Sequence, residues 1–190
     1  MVNAKVGVLA LQGGVREHVE MLEQLGVEVT LLRRPAQLSG LDGVVIPGGE
    51  SSTIDRLLRI FGLFEPLRGA LITGLPVLGT CAGLITLASE IEDPAPGQGS
   101  LGAIDIKVRR NSFGRQIASE VEKLDTPYGT VEAAFIRAPE VLEVRGDARV
   151  IARRGEAIVG VETDTALAIS FHPELTGDTT LHERFMAKVT

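Results

Sequence analysis

The run Leu75-Pro-Val-Leu-Gly-Thr-Cys-Ala-Gly83 sets a short apolar strand, Leu75-Leu78, directly against a helical stretch, Ala82-Glu90. Cys81 stands at the junction, with a glycine two residues to either side. A strand that passes into a helix through so tight a turn points to an α/β sheet whose loops carry function. The same alternation runs back toward the amino terminus. Val6-Leu11 reads as an apolar strand and Val15-Leu25 as a helix with apolar positions at helical spacing, stopped by Gly26. Val27-Leu32 and Gly43-Ile46 are further strands, and helical stretches follow near Ile54-Phe61 and Phe64-Ile72. Short, continuously apolar strands alternating with helices belong to a parallel sheet covered on both faces. The expected architecture is therefore a doubly wound, mostly parallel α/β fold.

The second half changes character at the Pro/Gly-rich break Asp93-Pro-Ala-Pro-Gly-Gln-Gly99. Beyond it, Leu101-Arg109, Thr130-Ile136, Arg149-Ala152, Ala157-Glu162 and Ala166-Phe171 are strand candidates, and Leu181-Val189 reads as a closing helix. These are expected to add antiparallel strands to the parallel core. The break is too short for an interdomain linker, no internal repeat is present, and 190 residues suit one domain spanning 1–190.

Composition narrows the function. Hydrophobic residues make up 44% of the chain and charged residues 23%, an ordinary globular balance. A net charge of −6 argues against a general grip on nucleic acid or an anionic membrane, since both need clustered positive charge. The amino terminus has neither a secretory apolar segment with a cleavage site nor the length of a spanning helix, so a cytoplasmic location is expected. One cysteine makes no internal disulfide, the remaining candidate ligands are too scattered for a metal site, and no cofactor is called for.

A lone cysteine is most often core filling. Here Gly79-Thr-Cys-Ala-Gly83 has the form of a nucleophile elbow with cysteine in place of serine, and the helix amino terminus behind it favours a thiolate. A thiolate that is to release an acyl group needs a base. Among His18, His172 and His182, only His172 ends an apolar run at a sheet edge, in the tripeptide His172-Pro-Glu174. Residues two apart in extended backbone share a side, so Glu174 is placed to orient the His172 ring. His18 and His182 fall in helical stretches among charged residues and read as surface. The third feature is Gly43-Val-Val-Ile-Pro-Gly-Gly-Glu-Ser-Ser-Thr53, a strand entering a glycine pair and then a helix capped by Ser51, Ser52 or Thr53. Adjacent glycines let backbone amides approach a developing oxyanion. The plainer reading is an ordinary tight turn, and no Gly-Lys-Ser/Thr follows to make it a phosphate loop.

Taken together, the chain resembles the class I, triad-type glutamine amidotransferases, whose fold is flavodoxin-like, and among them the glutaminase subunits of pyridoxal 5′-phosphate synthase. The resemblance rests on Leu9-Ala-Leu-Gln-Gly13, Val15-Arg-Glu-His18, Pro47-Gly-Gly-Glu-Ser51, Gly79-Thr-Cys-Ala-Gly-Leu84, Arg110-Asn-Ser-Phe-Gly-Arg-Gln116, Phe135-Ile-Arg-Ala-Pro139 and Phe171-His-Pro-Glu-Leu-Thr176. It covers nearly the whole chain. The elbow and His-Pro-Glu mark the broad class, whereas the segments beginning at Arg110 and Phe135 mark the narrower branch. Gly14 stands where alanine is usual and Ser52 where threonine is, and neither change removes a catalytic group.

The resemblance implies Cys81 as nucleophile, His172 as base and acid, and Glu174 as orienter. It further implies glutamine binding by Gly49, Glu50, Ser51, Arg110, Ile136 and Arg137, with an oxyanion hole at the Gly48-Gly49 peptide and the Ala82 amide. Composition alone would leave Arg110 and Arg137 as solvated charges; the forked guanidinium suits a carboxylate. The implied partners are L-glutamine and a ring-forming synthase subunit in a large hetero-oligomer, which receives the ammonia and wakes the glutaminase on docking. The Gly-Gly turn is free enough to switch its peptide, and Gln12, at the end of the first strand, is placed to report that docking. Three rivals compete. A peptidase-like or glyoxalase-like elbow enzyme would leave His-Pro-Glu unexplained. A glutaminase of another biosynthetic pathway would lack the two narrower segments, and a silent regulatory module would not need an intact Cys, His and Glu.

Overall fold

The structure, a computed structural model, describes residues 4–113 and 120–189. Its centre is built from strands of four or five residues dominated by valine, leucine and isoleucine: β1 (Lys5–Leu9), β2 (Glu28–Leu32), β3 (Gly43–Ile46) and β4 (Val77–Thr80). Four helices alternate with them or follow: α1 (Val15–Gln24), α2 (Ser51–Ile60), α3 (Phe64–Ile72) and α4 (Ala82–Leu87). The chain continues through β5 (Ala88–Glu92), β6 (Ile104–Arg109), β7 (Glu120–Thr126), β8 (Gly129–Phe135), β9 (Glu140–Val144), β10 (Arg149–Arg154), β11 (Ala157–Glu162) and β12 (Ala166–Ile169). It closes with α5 (Pro173–Thr176) and α6 (Thr180–Val189).

In the main sheet the strands lie in the order β2-β1-β3-β4-β12-β11-β9-β6-β5, with β10 paired to β11. From β2 to β12 every pairing is parallel, with Val8 beside Leu31 and Val45, Val45 beside Leu78, and Leu78 beside Leu167. Counting β12 as the fifth strand, this is the flavodoxin-like order. The pairings of β11 with β12, β9 and β10, and of β9 with β6, are antiparallel, so the added strands behave as expected; β5 and β6 pair in parallel. Strands β7 and β8 form a separate antiparallel ribbon.

Alternation along each strand feeds two cores. Val44 and Ile46 of β3 join Ile54, Leu58, Leu67 and Leu84 on one face, under α2, α3 and α4. Val45 joins Leu22, Leu78, Leu167 and Phe185 on the other, under α1 and α6. Each such side chain contributes about 1.5–3 kcal/mol relative to leaving it in water. Among the described residues, no helix is long and apolar enough to cross a membrane.

Strands β7 and β9 were not expected from the sequence, and three expected elements differ in their extent, cap or conformation. The helix after Cys81 ends at Leu87 instead of Glu90, because Ala88 turns extended and Ser89 donates to the Ile106 carbonyl, starting β5. Helix α2 begins at Ser51, and its cap is Glu50, not Ser51, Ser52 or Thr53; the Glu50 carboxylate accepts the Ser52 and Thr53 amides. The His172-Pro-Glu174 segment is not extended but turns into α5 at Pro173.

Candidate active site

Because β1, β3, β4 and β12 run in one direction, their carboxyl ends bring Gln12, Gly48, Cys81 and His172 to one sheet edge. A cleft of about 550 Å³ opens there. Edges where an α/β sheet reverses its winding are where such folds bind ligands.

Cys81 sits at the amino end of α4 with φ 51° and ψ −102°. A non-glycine residue held there costs of order 1–3 kcal/mol and needs surroundings that fix it. Two kinds of contact do so. The Cys81 amide donates to the Ile169 carbonyl at 2.8 Å, and the flanking glycines allow close packing. A Cβ on Gly79 would meet the Gly83 backbone at 2.7 Å, and one on Gly83 would meet the Ile46 carbonyl at 2.1 Å. The sulfur is near the Ile136 carbonyl at 3.9 Å.

His172 is tied by its amide to the Ala134 carbonyl, and its Nδ1 lies 2.7 Å from Glu174 Oε1. The pair forms although the segment is not extended; the turn into α5 folds Glu174 back under the ring. Burial pushes the His172 imidazolium down, but hydrogen bonds with Cys81 and Glu174 outweigh it and lift its pKa to about 10. Burial likewise raises the Glu174 carboxyl, and hydrogen bonds from His172 and His18 overcome that and hold it well below the usual carboxylate range.

The glycine turn meets the site closely. A Cβ on Gly48 would come within 2.3 Å of the His172 ring and 3.4 Å of Cys81 Cβ. The Gly14 amide donates to the Gly48 carbonyl at 3.0 Å, and the Glu50 amide donates to Gln12 Oε1 at 2.9 Å. On the opposite wall Arg110 donates to Glu50 Oε1 at 2.9 Å and to Gln98 Oε1 at 3.0 Å, while Gln98 Nε2 donates to the Ser51 hydroxyl. Burial raises the Glu50 carboxyl, but the Ser52 and Thr53 groups it caps bring it below its ordinary value.

Every site residue singled out from the sequence lines this cleft: Cys81, His172 and Glu174, with Gly48, Gly49, Glu50, Ser51, Ala82, Arg110, Ile136 and Arg137. Of the Arg110-Gln116 segment, Gly114, Arg115 and Gln116 lie outside the described residues. No cluster of possible metal ligands occurs among the described residues. The surface reading of His18 and His182 is overturned, since both are fully buried. Their apolar neighbours held the signal. Val15, His18, Val19 and Leu22 form one stripe of α1, and His182, Phe185, Met186 and Val189 one stripe of α6. Gln98 was also missed, because nothing in a Pro/Gly-rich loop marks one amide as bridging Arg110 and Ser51.

Against known proteins, residues 8–190 match the SNO glutamine amidotransferase family. The chain belongs to that family. Its relatives in this glutamine amidotransferase family include proteins named pyridoxal 5′-phosphate synthase subunit PdxT. That of Carboxydothermus hydrogenoformans is 50% identical over 188 residues, covering 97% of each chain. That of Kineococcus radiotolerans is 52% identical over 191 residues, covering 95% of this chain and 92% of its own. A crystal structure described as a glutamine amidotransferase superposes with a TM-score of 0.91 at 44% identity, over 97% of this chain and 98% of the other. A chain from the structure of PurLQS from Thermotoga maritima, 15% identical over 100% of both chains, shares the fold with a TM-score of 0.69.

Proposed function

We propose that this chain, acting as a single domain in the cytoplasm, hydrolyses L-glutamine to L-glutamate and ammonia as the glutaminase subunit of pyridoxal 5′-phosphate synthase. The observation that carries the chemistry is Cys81 on a strained elbow, in one cleft with a His172 that Glu174 holds at 2.7 Å. The relatives named as that synthase subunit, matched almost end to end, support the pathway.

The Cys81 thiolate attacks the side-chain amide carbon of glutamine. Backbone amides at Gly49 and Ala82 hold the tetrahedral oxyanion, and His172 protonates the departing ammonia. A γ-glutamyl thioester remains. Having given its proton to ammonia, His172 is neutral, and acylation removes the sulfur contact that favoured its charged form. The imidazole then takes a proton from water, whose oxygen opens the thioester to release glutamate and free the Cys81 thiolate. Glu174 keeps the ring in one tautomer throughout. Arg110, Glu50, Ser51 and the Ile136-Arg137 bend hold the amino-acid end of glutamine, with Arg110 moving from Glu50 to the substrate carboxylate.

Ammonia passes to a ring-forming synthase subunit within a large hetero-oligomer. When that subunit docks, the Gly48-Gly49 peptide adjusts, with Gln12 as the residue that senses it through the Glu50 amide. Co-purification with the synthase subunit, followed by glutaminase assay with and without it, tests the reading. Glutamate release should rise on docking, and an activity indifferent to the partner contradicts it.

A further inference from the structure

Behind Glu174 lies a buried polar chain that the reaction as written does not use. His18 Nε2 lies 3.0 Å from Thr80 Oγ1 and 3.4 Å from Glu174 Oε1, and His18 Nδ1 lies 2.9 Å from His182 Nε2. Both imidazoles are fully buried, and His182 Nδ1 has no hydrogen-bond partner among the described residues. The ionised Glu174 carboxylate sets the tautomers, because it only accepts and lies 3.4 Å from His18 Nε2, where a bare lone pair would face it. The His18 proton therefore sits on Nε2, toward Thr80 and Glu174, which leaves Nδ1 to accept from His182 Nε2. Burial pulls the pKa of His182 down to about 3, in keeping with a neutral ring at that end of the chain.

We propose that His18, backed by His182, is a positioning residue of the glutaminase, donating its Nε2–H to the Glu174 oxygen that orients His172. Glu174 Oε1 lies 2.7 Å from His172 Nδ1 and 3.4 Å from His18 Nε2, while Oε2 has no hydrogen-bond partner among the described residues. Both donors act on one oxygen, so the carboxylate has a single preferred rotation. The chain joins three elements, since His18 belongs to α1, Thr80 to the end of β4 one residue before the nucleophile, and His182 to α6. Removing such an outer hydrogen bond at a metal site loosens the ligand and typically costs 10–100-fold; the same logic applies to a buried catalytic carboxylate.

The inference rests on the triad reading, so labelling of Cys81 by a glutamine-analogue electrophile in the wild-type complex comes first. Absence of label at Cys81 sinks the triad reading itself. With label present, His18→Leu in the complex with the synthase subunit should lower kcat for glutamine hydrolysis by about 10–100-fold while KM changes by less than about twofold. His18→Gln, whose amide N–H occupies the place of Nε2–H, should recover most of the lost kcat. A His18→Leu enzyme with wild-type kcat overturns the inference and leaves the triad standing, and so does an equal loss of kcat in the Leu and Gln variants. Should neither variant fold, 15N NMR of the wild-type chain decides, because the inference requires the His18 proton on Nε2, and a proton on Nδ1 with a bare Nε2 overturns it.

Discussion

Gly48→Ala is the change with the best-defined consequence. The backbone at Gly48 lies outside the left-handed region, so alanine introduces no torsional penalty there, and the whole effect comes from one methyl group. That methyl would lie 2.3 Å from the His172 ring, where carbon atoms rest at about 3.5–4.0 Å. The ring must therefore retreat by about 1.2 Å or the turn must move by as much. Both outcomes harm the reaction. Retreat of the ring breaks the 2.7 Å contact with Glu174 or the approach to Cys81, and movement of the turn displaces the Gly49 amide. A misplacement of about 1 Å costs on the order of 100-fold in rate, or about 2.7 kcal/mol of transition-state stabilisation. The assay is glutamate release by the complex at saturating glutamine, with a thermal melt beside it. We expect kcat to fall about 100-fold with a folded protein. A Gly48→Ala enzyme within twofold of wild type would refute the claim that His172 packs against this turn during catalysis.

Glu174→Gln keeps the size of the orienting side chain but weakens its hold on the imidazole, and it should leave weak activity, down by about 10²–10⁴-fold in kcat, with glutamine binding retained. Complete loss of glutamine binding would argue against an orienting role. The His172 imidazole should titrate by NMR near pH 10 in the wild-type chain and lower in Cys81→Ala, where the sulfur hydrogen bond is gone. Its folded pKa lies above the ordinary 6.5, so its contribution to stability is complete below that value and disappears as pH rises through about 10. Away from the cleft, buried Glu162 receives Lys188 Nζ at 3.0 Å, Arg184 at 3.1 Å and the Tyr128 hydroxyl. Glu162→Leu leaves Lys188 uncompensated and should lower unfolding free energy by about 3–5 kcal/mol in urea titration.

The parallel core was legible because each of its strands obeys one rule, an apolar run short enough to cross the sheet once. The elbow was legible for the same reason, since glycines at 79 and 83 have no other use so close to a cysteine, and the close approach to the Ile46 carbonyl shows what they are for. Strand β7 was not. Glu120-Val-Glu-Lys-Leu-Asp-Thr126 is mostly charged, and it is held by pairing to β8 and by Arg154 of β10, which meets Glu120 and Glu122. The Arg154 contacts are distant in sequence and leave no trace in the local pattern, while the pairing to β8 is a hairpin closed at Thr126 and Gly129 that the charged residues of β7 masked. Strand β9 is likewise fixed by neighbours, between β6 and β11. The two buried histidines were misread because their charged sequence neighbours were weighed above the stripe to which each belongs. Burial is set by the helix face, and the ring of charge around His18 points outward.

Acid-quenched turnover in the synthase complex, followed by peptide mass spectrometry, decides whether the sulfur of Cys81 opens glutamine. We expect a γ-glutamyl adduct on the peptide that carries Cys81, and in Cys81→Ala an assembled complex with neither adduct nor glutamate release. Substantial glutamate release by Cys81→Ala, or an adduct on any other residue, would rule out Cys81 as the nucleophile.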